Sequence, residues 1–221
     1  MVNQFHPDIP FFPSPNFSSR MGCSVEGVVL HYTGSGSTSG TIKWFQMPES
    51  KVSAHFVLSR EGKFTQMVEI DNAAWHAGAS EMNYKGVPKQ GANYFTLGIE
   101  ISNHGPLHLG MDGKFYYELA GTMKLYKQVG TPKQATLVVG GQSITSWWEP
   151  YPNDQIIALD WFFQELKKSK YASAINNIRG HEEIAIPVGR KLDPAALFPW
   201  ALFGRPKGTR ITKAIIGGTE V

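Results

Sequence analysis

Hydrophobic and polar residues follow two different periods along this chain of 221 residues. The apolar run from Val28 to His31 shows no alternation, which is typical of a central strand covered on both faces. Residues alternate between apolar and polar from Thr96 to Ser102, which predicts a second strand, whereas Asp154 to Lys168 carries apolar residues at helical spacing. Strands interleaved with helices indicate an α/β (α+β) fold, with a central mixed β-sheet flanked by helices.

Shorter segments extend this prediction. Two short strands, Ser53–Leu58 and Lys63–Val68, flank a turn that contains glycine, so a hairpin is expected. A short helix is expected to begin at a cap formed by Thr38 or Ser39. Residues 176–179 predict a last short strand of the same sheet.

The chain is predicted to form a single domain with three additions. Residues 1–26 are rich in proline, serine and asparagine, which predicts an ordered surface arm that wraps the domain rather than a helix, and the main domain is expected to span residues 27–203. Aromatic and glycine pairs interrupt the pattern at about residues 105–152, which predicts an insertion beside the sheet. The glycine-containing tail, residues 204–221, is expected to be an irregular edge segment or partly mobile.

Composition narrows the classes of partner. The net charge of +3 is mild, and lysine and arginine are scattered along the chain. This charge favours contact with an anionic surface such as an acidic cell wall, and it excludes a nucleic-acid footprint. No apolar stretch is long enough to predict insertion into a membrane. The lone cysteine, Cys23, excludes a disulfide framework and any metal site with several cysteine ligands.

Two distant segments carry residues that bind metals. His31 closes the first apolar run, and the segment from Gly180 to Pro194 contains His181, Lys191 and Asp193. Two nitrogens and one oxygen, with a fourth position open for water, form the ligand set of a catalytic zinc site. The alternative for each histidine alone is a structural role in the core. Lys191 would lie beside the metal and stabilise an oxyanion, or it is a solvated surface lysine.

Three further residues are candidates for a cleft. Glu100 lies in the alternating strand and faces either solvent or a cleft, where it would transfer a proton. His76 and its neighbour Trp75 lie in a loop-like segment and would line a substrate groove, whereas His55 fits a core or supporting position better.

Six segments occur in an order that resembles the zinc-dependent N-acetylmuramoyl-L-alanine amidases of the type-2 amidase and peptidoglycan recognition protein family. The segments are Ser14-Pro15-Asn16-Phe17, Leu30-His31-Tyr32-Thr33, Val52-Ser53-Ala54-His55-Phe56, Ala74-Trp75-His76-Ala77-Gly78, Leu97-Gly98-Ile99-Glu100-Ile101 and the block from Gly180 to Asp193. The resemblance covers about residues 14–200, apart from the insertion. The family's Asp-Pro-Gly sequence reads Asp193-Pro194-Ala195 in this chain.

The resemblance implies one Zn2+ ion per chain and a hydrolase that cleaves the amide bond between N-acetylmuramic acid and L-alanine in peptidoglycan or muropeptides. The implied roles are zinc ligation by His31, His181 and Asp193, carbonyl polarisation by Lys191, general base and acid chemistry by Glu100, and groove-wall contacts by Trp75, His76 and Asn103. Some branches of the family use a tyrosine at the position of Ala54, which favours Glu100 as the proton-transfer group here.

Two questions stay open at this stage. The alternative to an enzyme is a non-catalytic peptidoglycan-binding module, a class that commonly lacks a zinc ligand. The N-terminus shows no secretory signal pattern, so we expect a cytoplasmic protein or a phage endolysin released to the cell wall, with an exported enzyme lacking its leader as the alternative. The sequence does not predict the oligomeric state.

Overall fold

The computed structural model describes residues 4–127, 130–205 and 212–220. The helices are α1 (Thr38–Gln46), α2 (Asn153–Lys167) and α3 (His181–Ile184), and short 3-10 turns occupy Pro48–Ser50, Ala92–Tyr94, Ala172–Asn177 and Trp200–Phe203. The strands are β1 (Phe17–Ser19), β2 (Gly27–Tyr32), β3 (Phe56–Leu58), β4 (Phe64–Gln66), β5 (Asn72–Ala74), β6 (Glu81–Tyr84), β7 (Val87–Gln90), β8 (Thr96–Ile101), β9 (Pro106–Leu109), β10 (Phe115–Leu119), β11 (Thr122–Leu125), β12 (Lys133–Val139), β13 (Gln142–Trp148), β14 (Ile178–Gly180), β15 (Lys213–Ile216) and β16 (Thr219–Glu220).

A mixed five-stranded sheet forms the centre of the fold, in the order β14-β2-β8-β3-β4. The first four strands are parallel to one another, and β4 returns antiparallel to β3 as the expected hairpin. Val28 and Leu30 on β2 are fully buried, as an unbroken apolar run predicts for a covered strand. Helix α2 packs Leu159, Phe162 and Leu166 into the same core. The prediction of a mixed α+β domain is confirmed.

The segment at residues 105–152 forms a sheet of its own beside the central one. Strands β9 to β13 belong to a seven-stranded antiparallel sheet in the order β11-β10-β9-β13-β12-β15-β16. Its buried face includes Leu137 and Trp148, which form a separate apolar cluster with Ala214. Buried and partly buried residues alternate along β12 from Ala135 to Val139, as one covered face requires.

The described part of the tail lies at an edge of the second sheet, as expected, but it forms regular strands rather than an irregular segment. Residues 213–216 form β15, which pairs with β12 from Thr136 to Val138. Without this partner the edge of β12 would expose unpaired backbone groups, and pairing also buries Ala214. Residues 206–211 and 221 lie outside the described residues.

The N-terminal arm packs against the domain. Ile9 is buried, and the Phe5 ring packs against Phe56 and Phe162 with centroid distances of 5.8 and 5.2 Å. The buried Asn16 side chain donates hydrogen bonds to the carbonyl of Met47. These apolar contacts complete the core on one side of the central sheet.

Two helix boundaries differ slightly from the prediction. Ser37, one residue before the expected position, caps α1, because its hydroxyl accepts a hydrogen bond from the Gly40 backbone N–H at 3.2 Å. Helix α2 starts at Asn153, one residue earlier than expected. Among the described residues, none of the helices combines the length and apolar character that crossing a lipid bilayer requires.

Candidate metal centre and catalytic cleft

The central sheet brings the predicted ligands to one edge. His31 lies near the carboxyl end of β2, and the parallel register pairs it with Glu100 on the neighbouring β8. On the other side of β2, strand β14 ends at Gly180, and His181 follows directly as the first residue of α3 rather than in a loop. Because carboxyl ends of parallel strands share one edge of a sheet, these side chains converge there.

Three ligand atoms from these segments meet. The Nδ1 atoms of His31 and His181 are 3.0 Å apart, and Asp193 Oδ2 lies 2.9 Å from the first and 3.0 Å from the second. All three side chains are buried. This spacing leaves room for one ion at the bond lengths of about 2.0–2.1 Å that zinc makes to nitrogen and oxygen. The structure thus brings the three predicted ligand residues together.

The hydrogen bonds behind the cluster determine where the His181 proton lies. His181 Nε2 is 3.0 Å from the carbonyl oxygen of Ala77, which only accepts hydrogen bonds. The proton of a neutral His181 imidazole therefore resides on Nε2. Its Nδ1 presents a lone pair toward His31 and Asp193.

A longer chain of hydrogen bonds determines which nitrogen of His31 carries the proton. The Thr96 hydroxyl donates to the Ala92 carbonyl at 2.7 Å, so its oxygen accepts from His76 Nε2 at 3.2 Å. His76 Nδ1 is then an acceptor, and it lies 3.0 Å from His31 Nε2, which must donate. The His31 Nδ1 atom, like that of His181, therefore carries a lone pair.

The protonation states fit a cation at the cluster. Burial, together with the nearby His181 imidazole, lowers the pKa of His31 to about 4, so this ring is neutral at pH 7. Burial by itself raises the pKa of the Asp193 carboxyl, but the His181 and His31 imidazoles hold it below its ordinary value. A neutral His31 ring and an ionised Asp193 carboxylate are the states in which these two residues bind a metal ion. This donor set matches the preference of zinc for histidine and carboxylate ligands.

His76 thus lies behind His31 as a supporting residue, although its ring also touches the cleft. Gly98 on β8 makes room for it, because a β-carbon at this position would lie 2.4 Å from the His76 ring. A glycine within a strand pattern is the sequence signal for such a close approach. The sequence prediction placed His76 in the groove wall and did not find this role.

We expect His76→Ala to weaken zinc binding by about 10- to 100-fold, because the His31 ring loses the acceptor that fixes its orientation and proton position. Competition with a fluorescent zinc chelator measures this affinity. His76→Asn should recover part of it, since the asparagine oxygen can accept from His31 Nε2. His108→Ala, at an exposed histidine of β9, is the matched control. Equal zinc affinities of the His76→Ala variant and the wild type would contradict the supporting role.

Glu100 faces the cleft rather than solvent. Its Oε2 atom is buried and has no hydrogen-bond partner among the described residues. Burial, reinforced by the negative charge of Asp193, raises the pKa of this carboxyl well above its ordinary value, and Lys191 opposes the shift. A carboxyl in this environment holds a proton more readily than one in water, which suits a group that accepts and returns protons.

Lys191 lines the same cleft and is half-buried. Its positive charge acts on both sides of the site, because it lowers the pKa of His31 and opposes the raised pKa of Glu100. An ammonium group that reaches both residues is suitably placed to stabilise negative charge that develops beside the metal ligands.

The backbone after Asp193 keeps an unusual conformation. Ala195 has a φ of 74°, in the left-handed region that favours glycine, at the position where the related family sequence carries glycine. The Tyr151 hydroxyl donates to the Pro194 carbonyl at 2.7 Å, and the Glu182 N–H donates to the Asp193 carbonyl at 3.0 Å. These contacts hold the Asp193 backbone beside the start of α3.

The cleft around the cluster has a volume of about 970 Å³. Trp75 lies on its wall as predicted from the sequence, with its Nε1 donating to the Ser18 hydroxyl at 3.3 Å. Asn103 does not lie there: its side chain accepts from the Gly105 N–H at 2.7 Å and donates to the Glu149 carbonyl at 3.3 Å. Wall residues that sequence reasoning missed include Trp44, Val52, Leu119, Ala120 and Arg190.

The sequence of this chain is similar to those of known amidases. The family model described as N-acetylmuramoyl-L-alanine amidase matches residues 21–196. N-acetylmuramoyl-L-alanine amidase A of Achromobacter lyticus is 38% identical over 88 residues, which are 39% of this chain and 42% of the relative. The 1,6-anhydro-N-acetylmuramyl-L-alanine amidase AmpD of Citrobacter freundii is 29% identical over 153 residues, 69% of this chain and 56% of the relative. The chain thus spans about half the length of the curated relatives it matches.

Solved structures share the fold. A crystal structure of AmpD has a TM-score of 0.60 and 24% identity, with 92% of this chain and 98% of that chain covered. The amidase AmiD from E. coli, in complex with anhydro-N-acetylmuramic acid-L-Ala-D-gamma-Glu-L-Lys, has a TM-score of 0.54 and 21% identity, with 87% and 60% covered. Since the family model matches most of its length, this chain belongs to the N-acetylmuramoyl-L-alanine amidase family.

Proposed function

We propose that this chain is a zinc-dependent hydrolase that cleaves the amide bond between N-acetylmuramic acid and L-alanine of peptidoglycan or muropeptides. The observation that carries the proposal is the convergence of three candidate ligand atoms in one cleft with Glu100 and Lys191. Family membership supports the reaction, as do the names of the relatives, which are muramyl-L-alanine amidases. The muropeptide bound in the AmiD structure supports the class of substrate.

His31, His181 and Asp193 would hold the zinc ion. When bound, zinc supplies Lewis acidity, which lowers the pKa of water and polarises a carbonyl group. Glu100 accepts a proton from the attacking water at its buried carboxylate and then returns it to the departing alanine nitrogen. The Lys191 ammonium stabilises the negative charge that develops on the scissile carbonyl oxygen.

The pairing of Glu100 with the ligand set favours catalysis over simple binding. A binding module needs no buried carboxyl beside the ligands, and burying such a group without a partner costs folding free energy. In this chain Glu100 lines the cleft and its Oε2 atom is buried, and proton transfer during catalysis would explain why the carboxyl is there.

Two substrates test this proposal. Zinc-loaded protein is incubated with soluble muropeptides and, separately, with intact peptidoglycan, and mass spectrometry follows the release of free stem peptide. We expect stem peptides that begin with a free L-alanine amino group. Uncleaved substrate in both reactions, with one zinc ion bound per chain, would refute the enzyme and favour the binding module.

A further inference from the structure

The tip of the β10–β11 hairpin reaches the cleft that holds the metal ligands. Leu119 and Ala120 line this cleft together with His31, Glu100 and Asp193. The hairpin belongs to the second sheet, where β11 is an edge strand. A sheet that lies beside the central one therefore contributes a wall to the candidate active site.

The tip has a tight and defined geometry. Leu119 pairs with Thr122, so only Ala120 and Gly121 form the turn, with φ values of 50° and 74°. Positive φ at both central residues is the pattern of the two-residue type I′ turn, whose twist matches that of paired strands. The turn therefore holds the Leu119 side chain and the Ala120 methyl group at the cleft.

The base of the hairpin is held by a buried carboxylate. Glu149 Oε1 accepts from the Tyr126 hydroxyl at 3.1 Å, and its Oε2 lies 2.9 Å from His104 Nδ1. The His104 ring packs on Tyr117 of β10, with a centroid distance of 4.2 Å. Arg60, from the turn between β3 and β4, completes the cluster with an ion pair to Glu149. These contacts fix the hairpin to the central domain.

The same histidine supports the rim of the cleft. Gly36 lies so close to His104 that a β-carbon would be 2.2 Å from the ring. Its neighbours Ser35 and Ser37 line the cleft. The rim loop and the hairpin thus share one support.

We propose that Leu119 and Ala120 form a substrate-contacting wall that determines which muropeptides this cleft accepts. The proposal rests on the proposed function for the class of ligand. The wall is apolar, so it fits the methyl-bearing part of a muramyl peptide, where lactyl, alanyl and acetyl methyl groups cluster near the scissile amide. Burial of these methyl groups against Leu119 would favour binding.

The probe is muramyl dipeptide. Isothermal titration calorimetry measures its binding to the zinc-loaded chain of residues 1–221 carrying Glu100→Gln, so that turnover does not interfere. In this background, Leu119→Ser should weaken binding about five- to tenfold through lost apolar contact. Met123→Ser is the matched control, because Met123 is 49% exposed on the same hairpin and does not line the cleft. It should leave the dissociation constant unchanged.

A second variant guards against misfolding of the first. Asparagine tolerates positive φ, so Ala120→Asn should preserve the turn while placing a larger polar group against the ligand, and it should also weaken binding. If the Leu119, Ala120 and Met123 variants all bound muramyl dipeptide with the dissociation constant of the Glu100→Gln protein, Leu119 and Ala120 would not contact substrate, and the proposal would be wrong. If the variants bind more weakly but the wild type cleaves no substrate, the amidase activity is refuted and the substrate contact stands. If the wild type cleaves substrate but Leu119→Ser binds normally, the substrate contact is refuted and the amidase activity stands.

Discussion

Replacing Asp193 by alanine is expected to remove most of the zinc from the protein and to abolish cleavage of muropeptides. The carboxylate oxygen lies 2.9 and 3.0 Å from the two imidazole nitrogens, and it is the only anionic member of the ligand cluster. Loss of a residue that only supports a ligand lowers metal affinity by up to about 100-fold, and loss of Asp193 itself should lower it further. Metal analysis by mass spectrometry after dialysis measures the remaining zinc.

The control for this experiment is Asp160→Ala, which removes an exposed carboxylate from α2 and should leave zinc content and activity unchanged. Circular dichroism checks that the Asp193 variant is folded. A folded Asp193→Ala protein with one zinc ion per chain would remove Asp193 from the ligand set, and with it the proposed metal centre.

Glu100→Gln is expected to retain zinc but to lower turnover by about 100- to 10,000-fold, the range over which general acid–base catalysis accelerates reactions. Glutamine has nearly the same shape, so the cleft should keep its form. It does not accept and return a proton, however, and the residue is not one of the three clustered ligands. Comparison of turnover and zinc content in the same preparation separates proton transfer from metal binding.

Glu81→Gln, at an exposed position of β6, provides the matched control. It should show the turnover of the wild type. Near-normal activity of zinc-loaded Glu100→Gln would mean that another group moves the proton, and the raised pKa of Glu100 would then reflect burial alone.

The order of short motifs proved more informative than secondary-structure patterns. The segments around His31, Glu100 and Asp193 predicted both the family and the converging ligands, because a catalytic zinc site requires particular donor atoms. Periodicity predicted the main strands and α2, since their burial imposes a regular spacing of apolar residues. Both kinds of inference use constraints that act on residue types directly.

The hydrogen bonds made by the Asn103 and His76 side chains were not predicted from the sequence. Asn103 follows the strand of Glu100 closely and was expected in the groove wall, but its amide bonds to Gly105 and the Glu149 carbonyl. His76 lines the cleft as expected, but its hydrogen bond to His31 Nε2 was not predicted. Partners of this kind depend on side-chain positions within a few tenths of an ångström, which residue order does not specify.

The sequence by itself determined the class of fold, the candidate ligand residues and the family, because strand burial and metal chemistry select residue types at recognisable positions. Only the tertiary structure decided that residues 105–152 and the tail share a second sheet, and that the tip of its β10–β11 hairpin borders the cleft. The physical reason is that strand pairing between distant segments joins backbone groups, which every residue except proline carries in full. Such pairing leaves little trace in side-chain identity until the chain is folded.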